Sequence, residues 1–461
     1  MAPAEQDALA LREQLFHERV RECIICTLLF ASLYILCHFI ITHFKQHTDF
    51  AAEHDDEDAA VNRIALGLCT FTLAVALGAV LLLPFSIISN EVLLSFPHNY
   101  YIQWLNGSLV HGLWNLVFLF SNLSLVFLMP FAYFFTESEG FAGSKKGIMA
   151  RVYETSVVLL LLTLLVLGMV WVASAIVGND VASRQSLYDL WEYYLPYLYS
   201  CISLFGVLLL LLCTPFGLST MFAVTGKLLV KPRLLEDLDE QLSCTRLEEA
   251  AVSRRISSEL RQRASPWQRN LGYPLAMLGL LALTGISVLI VCFHVLELLL
   301  DDAAMPRGIQ QDASLGQVSF SIFGSFGAAL QVVLILYLMV SSVVGFYNSP
   351  LFTRLLPERQ DTPLTKIIGN CVSLLVLSSA LPVFSRTLGI TRFDLLGDFG
   401  RFNWLGNFYI VFLYNMGFAV LTTLCLVKRV SWAVQAELIH AFGLHKLPLP
   451  VPRSRRLTKP C

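Results

Sequence analysis

The chain predicts an all-α, polytopic membrane protein with nine transmembrane helices, its N-terminus outside and its C-terminus cytosolic. Nine apolar stretches carry the prediction, at 23–43, 64–88, 109–135, 157–177, 197–216, 275–299, 320–344, 367–384 and 408–427. A hydrocarbon core needs about 20 such residues at helical rise. Composition agrees, with 56% hydrophobic and 14% charged residues against about 45–50% and about 25% in soluble domains. The third observation is the distribution of positive charge. All 32 Lys and Arg lie between the apolar stretches, and with the N-terminus outside 24 of them fall on the cytosolic side. That bias orients multi-pass proteins.

Residues 1–22 form an external N-terminus, and the first stretch begins near Cys23 without a small-residue cleavage pattern. It is expected to stay as a signal anchor. Stretches one to five, residues 23–216, make the first half of the bundle. Pro84, Pro130 and Pro215 fall near the ends of the second, third and fifth. Proline removes a backbone donor, so each is expected either to end its helix or to kink it. The outer connection after the second stretch holds Tyr100, Tyr101 and Trp104, followed by an Asn106-Gly107-Ser108 glycosylation sequon. The third stretch carries His111 and Asn115, four residues apart on one helix face, and then Asn122. Interhelical hydrogen bonds of this kind are worth about 0.6–2 kcal/mol, so they are expected to act as packing glue. A second outer aromatic cluster, including Trp191 and Tyr194, precedes the fifth stretch.

Residues 217–270 form a cytosolic linker in which Leu234, Leu235, Leu238, Leu242 and Leu247 have helical spacing, ahead of a basic run from Arg254 to Arg263. It reads as a solvated amphipathic helix or as a partner-binding arm. Stretches six to nine occupy 271–427. The sixth holds His294 and Glu297, three apart on one face and near its outer end. Ionisable groups at such depth are expensive and mark function by default, whereas groups at the interface simply meet water. In the seventh, Gly324, Gly327 and Ala328 permit close backbone approach, either in a homodimer or inside one chain. The outer segment before the last stretch combines Phe402 and Trp404 with Arg392, Asp394, Asp398 and Arg401, and is expected to be ordered. Tyr and Trp gather at membrane interfaces and also at binding hot spots, so Tyr100, Tyr101, Trp104, Trp191, Tyr194, Phe402 and Trp404 are the candidate partner-binding residues. Residues 428–461 are a cytosolic tail that opens with a helix containing Trp432, Leu438 and Ile439, expected to lie along the inner membrane surface.

Most of the eleven cysteines lie within the stretches and none in an outer loop proper, which excludes a disulfide framework. No nucleophile elbow, zinc-protease, phosphate-loop or kinase pattern falls on a suitable loop. No catalytic residue, cofactor, metal site or nucleic-acid partner is expected, and membrane lipids are the expected surroundings.

The run NEVLLSFPHNYYIQWLNGSLVHGLWNLVFLFSNLSLVFLMPFAYFFTESEGFAGSKKG at 90–147, and TRFDLLGDFGRFNWLGNFYIVFLYN at 391–415, resemble the limb-region-1-like family. The resemblance covers nearly the whole chain. One departure is that Ile256-Ser257-Ser258 leads almost directly to Pro266-Trp267, where relatives carry a longer helical insert. The resemblance implies nine spans, an outside N-terminus and a plasma-membrane receptor that binds secreted lipocalins and mediates their endocytosis. It also implies an alternative, an endoplasmic-reticulum adaptor that restrains Wnt signalling with ubiquitin-ligase components. A transporter or scramblase for lipid or a hydrophobic solute is a further reading, suited to spans so poor in carboxylates.

Overall fold

The computed structural model describes residues 3–45, 56–96, 107–138, 148–177, 187–230, 272–300, 325–358, 362–391, 395–396 and 407–441. Among these there is no strand, and eleven α-helices account for nearly all of the backbone. This follows from the apolar sequence, because in lipid every backbone polar group must be satisfied within its own segment. In chain order the helices are α1 (Pro3–Phe44), α2 (Asp56–Ser95), α3 (Gly107–Leu123), α4 (Met129–Glu137), α5 (Ile148–Val177), α6 (Leu187–Val230), α7 (Tyr273–Leu300), α8 (Ser325–Asn348), α9 (Leu364–Ser379), α10 (Leu381–Thr387) and α11 (Phe408–Ala441).

Eight of the resulting segments are long and apolar enough to cross a membrane: Val20–Phe44, Ala59–Ser95, Leu109–Glu137, Leu198–Thr225, Pro274–Leu300, Phe326–Asn348, Leu364–Thr387 and Phe408–Lys428. The expected stretch 157–177 lies in α5, a continuous helix whose side chains beyond Leu165 are outside the described residues.

Four expectations are corrected. Pro84 and Pro215 end nothing, since α2 continues to Ser95 and α6 to Val230, well past the expected limit at 216. Pro130 sits at the first turn of α4, where no intrahelical donor is needed, directly after a π turn at Ser124–Leu128 that joins α3 to α4. The eighth stretch is not one helix: it breaks at Ala380, one residue before the Leu381-Pro382 pair that starts α10. The tail helix does not lie separately along the inner surface but prolongs α11 to Ala441. Between Lys428 and Ala441 there is neither Gly nor Pro to turn it.

Helices α2 and α6 occupy the centre, and the most extensive packing in the fold is that of α6 on α8. Lipid tails are as apolar as leucine, so packing and hydrogen bonds, rather than hydrophobic burial, hold helices together. At the α6–α8 crossing the two backbones touch. A Cβ on Gly217 would fall on the Ser341 carbonyl, and one on Gly345 on the Cys213 carbonyl. The Thr214 and Ser342 hydroxyls hydrogen-bond across the same contact at 2.7 Å.

Large aromatics fill the space further along α6. Trp114 and Phe118 of α3 stack at 5.4 Å, and Phe118 meets Tyr199 at 4.5 Å, all three fully buried. The Trp114 Nε1 donates to Ser86 Oγ at 2.9 Å, two residues past Pro84. Ala328, and with it Gly327, is buried inside this chain, while Gly324 lies outside the described residues. On α1, α2 and α9, Cys37, Cys69 and Cys371 are buried, and the Cys371 thiol donates to the Cys69 carbonyl at 3.6 Å.

Candidate functional site

The break between α9 and α10 produces the most unusual surroundings in the fold. All seven residues of α10 are buried, Ser385, Arg386 and Thr387 among them. The helix rests on α2, α6, α9 and α11. Its end is a Schellman motif. Ile390 N–H donates to the Ser385 carbonyl at 2.9 Å and Gly389 N–H to the Arg386 carbonyl at 3.1 Å, with Gly389 at φ +72°. The Ser385 and Thr391 hydroxyls hydrogen-bond at 3.0 Å. Beyond it, Leu395 and Leu396 are buried in the main core, so the chain turns back into the bundle here.

Three neighbouring helices fix this segment. From α6, the Tyr199 hydroxyl donates to the Ser379 carbonyl at 3.0 Å, in the region where Pro382 supplies no backbone donor. Gly206 of α6 makes room for the break, because a Cβ there would lie 2.6 Å from Ala380 Cβ. From α11, Asn415 Nδ2 donates to the Thr387 carbonyl at 2.8 Å. From α7, the His294 ring lies directly against Gly389, where a Cβ would be 2.6 Å from Cγ and Nδ1. Replacing Tyr199 with Phe removes only the hydroxyl, and about 1 kcal/mol of stability should be lost. A thermal-unfolding midpoint indistinguishable from wild type would show that the carbonyl at the break needs no such donor.

His294 and Glu297, expected on one face of the sixth span, are brought to this site. His294 Nδ1 and Glu297 Oε2 are 3.8 Å apart, with His294 buried and Glu297 about one-third exposed. The remaining polar expectations lie elsewhere. His111 and Asn115 are half-buried on α3, while Asn122 is fully buried and neither atom of its amide finds a partner among the described residues. Tyr100, Tyr101, Trp104, Asn106, Phe402 and Trp404 lie outside the described residues, as do Arg392, Asp394, Asp398 and Arg401. Trp191 and Tyr194 belong to α6, but their side chains are outside the described set. The linker beyond Val230 is likewise outside it.

Sequence reasoning missed three residues at this site and one carboxylate elsewhere in the bundle. Arg386, 9% exposed, belongs to a span-length segment although every Arg and Lys was placed between the stretches. Glu91, similarly, falls inside α2 rather than beyond it. Asn415 and Gly389 carried a legible signal: an amide in the middle of an apolar stretch, and a Gly just after a Pro-started helix. Among the described residues no three His, Cys, Asp or Glu side chains converge as a metal would require.

A void of about 10 Å³ adjoins α10, bounded by Leu83, Ile335 and Met339 on one side and by Leu381, Phe384 and Ile390 on the other. That is about the space of one water molecule.

Long membrane-length helices, a broken penultimate span and a polar segment folded into the bundle define a multi-pass helical membrane protein. Family comparison is more specific. Residues 22–263 and 246–430 match the family described as LMBR1-like membrane protein, and the chain belongs to that family. It is 74% identical to Protein LMBR1L of Xenopus laevis, covering 97% of this chain and 98% of the relative. Identity is 71% to Protein LMBR1L of Homo sapiens, over the whole of both chains. Against the Limb region 1 protein homolog of Homo sapiens it is 62%, covering 99% of this chain and 98% of the relative. No solved structure matches the chain.

Proposed function

We propose that this chain is a non-enzymatic plasma-membrane receptor that binds a secreted lipocalin on its outer side and carries it into the cell. The proposed topology has nine spans, with α5 included, an external N-terminus and a cytosolic C-terminus. The arrangement of 24 positive residues in cytosolic segments against 7 in outer ones, with Arg386 buried in the bundle, supports it.

The observation that carries the receptor reading is the anchoring of the segment between the last two spans. Asn415 at Thr387 and His294 at Gly389 hold its start against two helices, and Leu395 and Leu396 are packed in the core. Phe402 and Trp404 follow within a few residues. Chain that emerges from a fixed base loses less entropy on binding than a free loop. A receptor with no disulfide-stapled exterior needs such a base.

Purified lipocalin titrated onto the folded, detergent-solubilised protein should bind saturably at micromolar concentrations. Exchanging Phe402 and Trp404 for Ala should weaken that binding while surface expression stays near normal. Absence of saturable binding to demonstrably folded protein overturns the reading. Lipid flux in liposomes holding the protein alone would favour a scramblase, and co-purification with ubiquitin-ligase components would favour the adaptor in the endoplasmic reticulum.

A further inference from the structure

We propose that α10 is a movable plug, hinged at Ala380 and Gly389, whose displacement opens the void beside α2 and α8 to an apolar solute from the bilayer. The proposal goes beyond the receptor reading and does not rest on it.

The composition of α10 is the first argument. A helix enclosed on every side is normally apolar all round, and a permanent filler would follow that rule. Three consecutive residues of α10 are instead Ser385, Arg386 and Thr387, all buried. A cation inside a membrane-length segment is expensive and marks a working part by default.

Hinge points are the second. The chain breaks at Ala380, just before Pro382, which has no N–H to give the carbonyl four residues earlier in a continuous helix. Broken helices at membrane depth are tolerated only where protein or a cavity surrounds them, and in transporters they form the moving or binding elements. At the other end Gly389, at φ +72°, reverses the chain. A rigid seven-residue piece between two such points can rotate as a body.

The hydrogen bond from Asn415 to the Thr387 carbonyl ties the far end of the piece, while the Tyr199 hydroxyl bonds the Ser379 carbonyl at the end of α9, just before the hinge. Its apolar side, Leu381, Phe384 and Ile390, forms one wall of the void, and Leu83, Ile335 and Met339 form the opposite wall. Outward movement of α10 therefore enlarges the void directly. Pro84, next to Leu83, removes a hydrogen bond from α2 at the same level. The lining is apolar except for Ser385 and suits a hydrocarbon chain rather than an ion.

Two measurements on the full-length protein in nanodiscs test this. Hydrogen exchange should show residues 381–391 opening locally, faster than α8 and the body of α9. Asn415→Ala should raise exchange in 381–391 by about tenfold and leave α8 unchanged, and Tyr199→Phe, which loosens only the α9 side of the hinge, should raise it less. Exchange of 381–391 only in step with α8, in wild type and in both variants, means a static part of the core and overturns the proposal. The second measurement uses a small apolar carbene-generating reagent dissolved in the bilayer. Val340 is half-exposed on the lipid side of α8, while its neighbour Met339 is buried against the void. Labelling of Met339 should rise in Asn415→Ala relative to Val340, which serves as the internal reference. Met339 left unlabelled in that variant overturns the route.

Discussion

Replacing Gly345 with Ala is expected to cost about 3 kcal/mol or more, at the upper end of what overpacking does, and to remove most of the monodisperse protein recovered in mild detergent. The new Cβ would fall on the Cys213 carbonyl, and the amide nitrogen of Gly217 is 2.7 Å from the same point. Both obstacles are backbone, so no side-chain rotation relieves them. The helices must part, and with them goes the Thr214–Ser342 hydrogen bond. Gly217→Ala should behave alike, because its Cβ meets the Ser341 carbonyl. Gly279→Ala and Gly285→Ala are the controls, since a Cβ at either meets nothing within 4 Å. They should be neutral or gain up to about 1 kcal/mol from helix propensity. Equal thermal midpoints for Gly345→Ala and the controls would mean that α6 and α8 do not touch through their backbones.

Gly389→Ala is expected to produce the next largest loss. Two causes add. An L-residue held in the left-handed region costs about 1–2 kcal/mol, and the Cβ would sit inside the His294 ring contact. The double variant His294→Ala with Gly389→Ala separates them: removing the ring should restore the steric part and leave the conformational part. Thermal unfolding of the wild type, two singles and double gives the coupling. If the singles and the double are additive, the turn is not seated on His294. If Gly389→Ala is neutral, the turn lacks the geometry described.

The spans were legible because lipid leaves few choices: a run of about 20 apolar residues can only become a helix. That covers the eight membrane-length segments and the continuous helix at α5. The break at Ala380 was not read, since the apolar run continues through Val383 and Phe384 and conceals it. Arg386 was placed outside on the rule that charge marks a loop, and the rule fails where protein rather than lipid surrounds the residue. His294 and Glu297 were identified from their spacing, but their neighbour Gly389 is far along the chain and has no local signature pointing to them. The Gly217–Gly345 crossing was likewise hidden, its hydrogen-bonding pair being separated by 128 positions. Helix periodicity reveals which residues share a face, not which distant face they meet. The tail was misread for a different reason. Its apolar residues suggested a surface helix, whereas the lack of any breaker after Lys428 was the stronger signal.

The contact between α6 and α8 also bears on how the chain is built during synthesis. The ribosome releases α6 well before α8 exists, so at that moment the notch at Gly217 has no occupant and the proline at 215 has already removed one of the helix's own backbone hydrogen bonds. The same holds for Tyr199, whose acceptor at Ser379 arrives 180 residues later. The first half of the protein therefore cannot reach its final arrangement alone. A chain that stops short of α8 carries an unfilled notch at Gly217, and its packing is completed only when the C-terminal half docks.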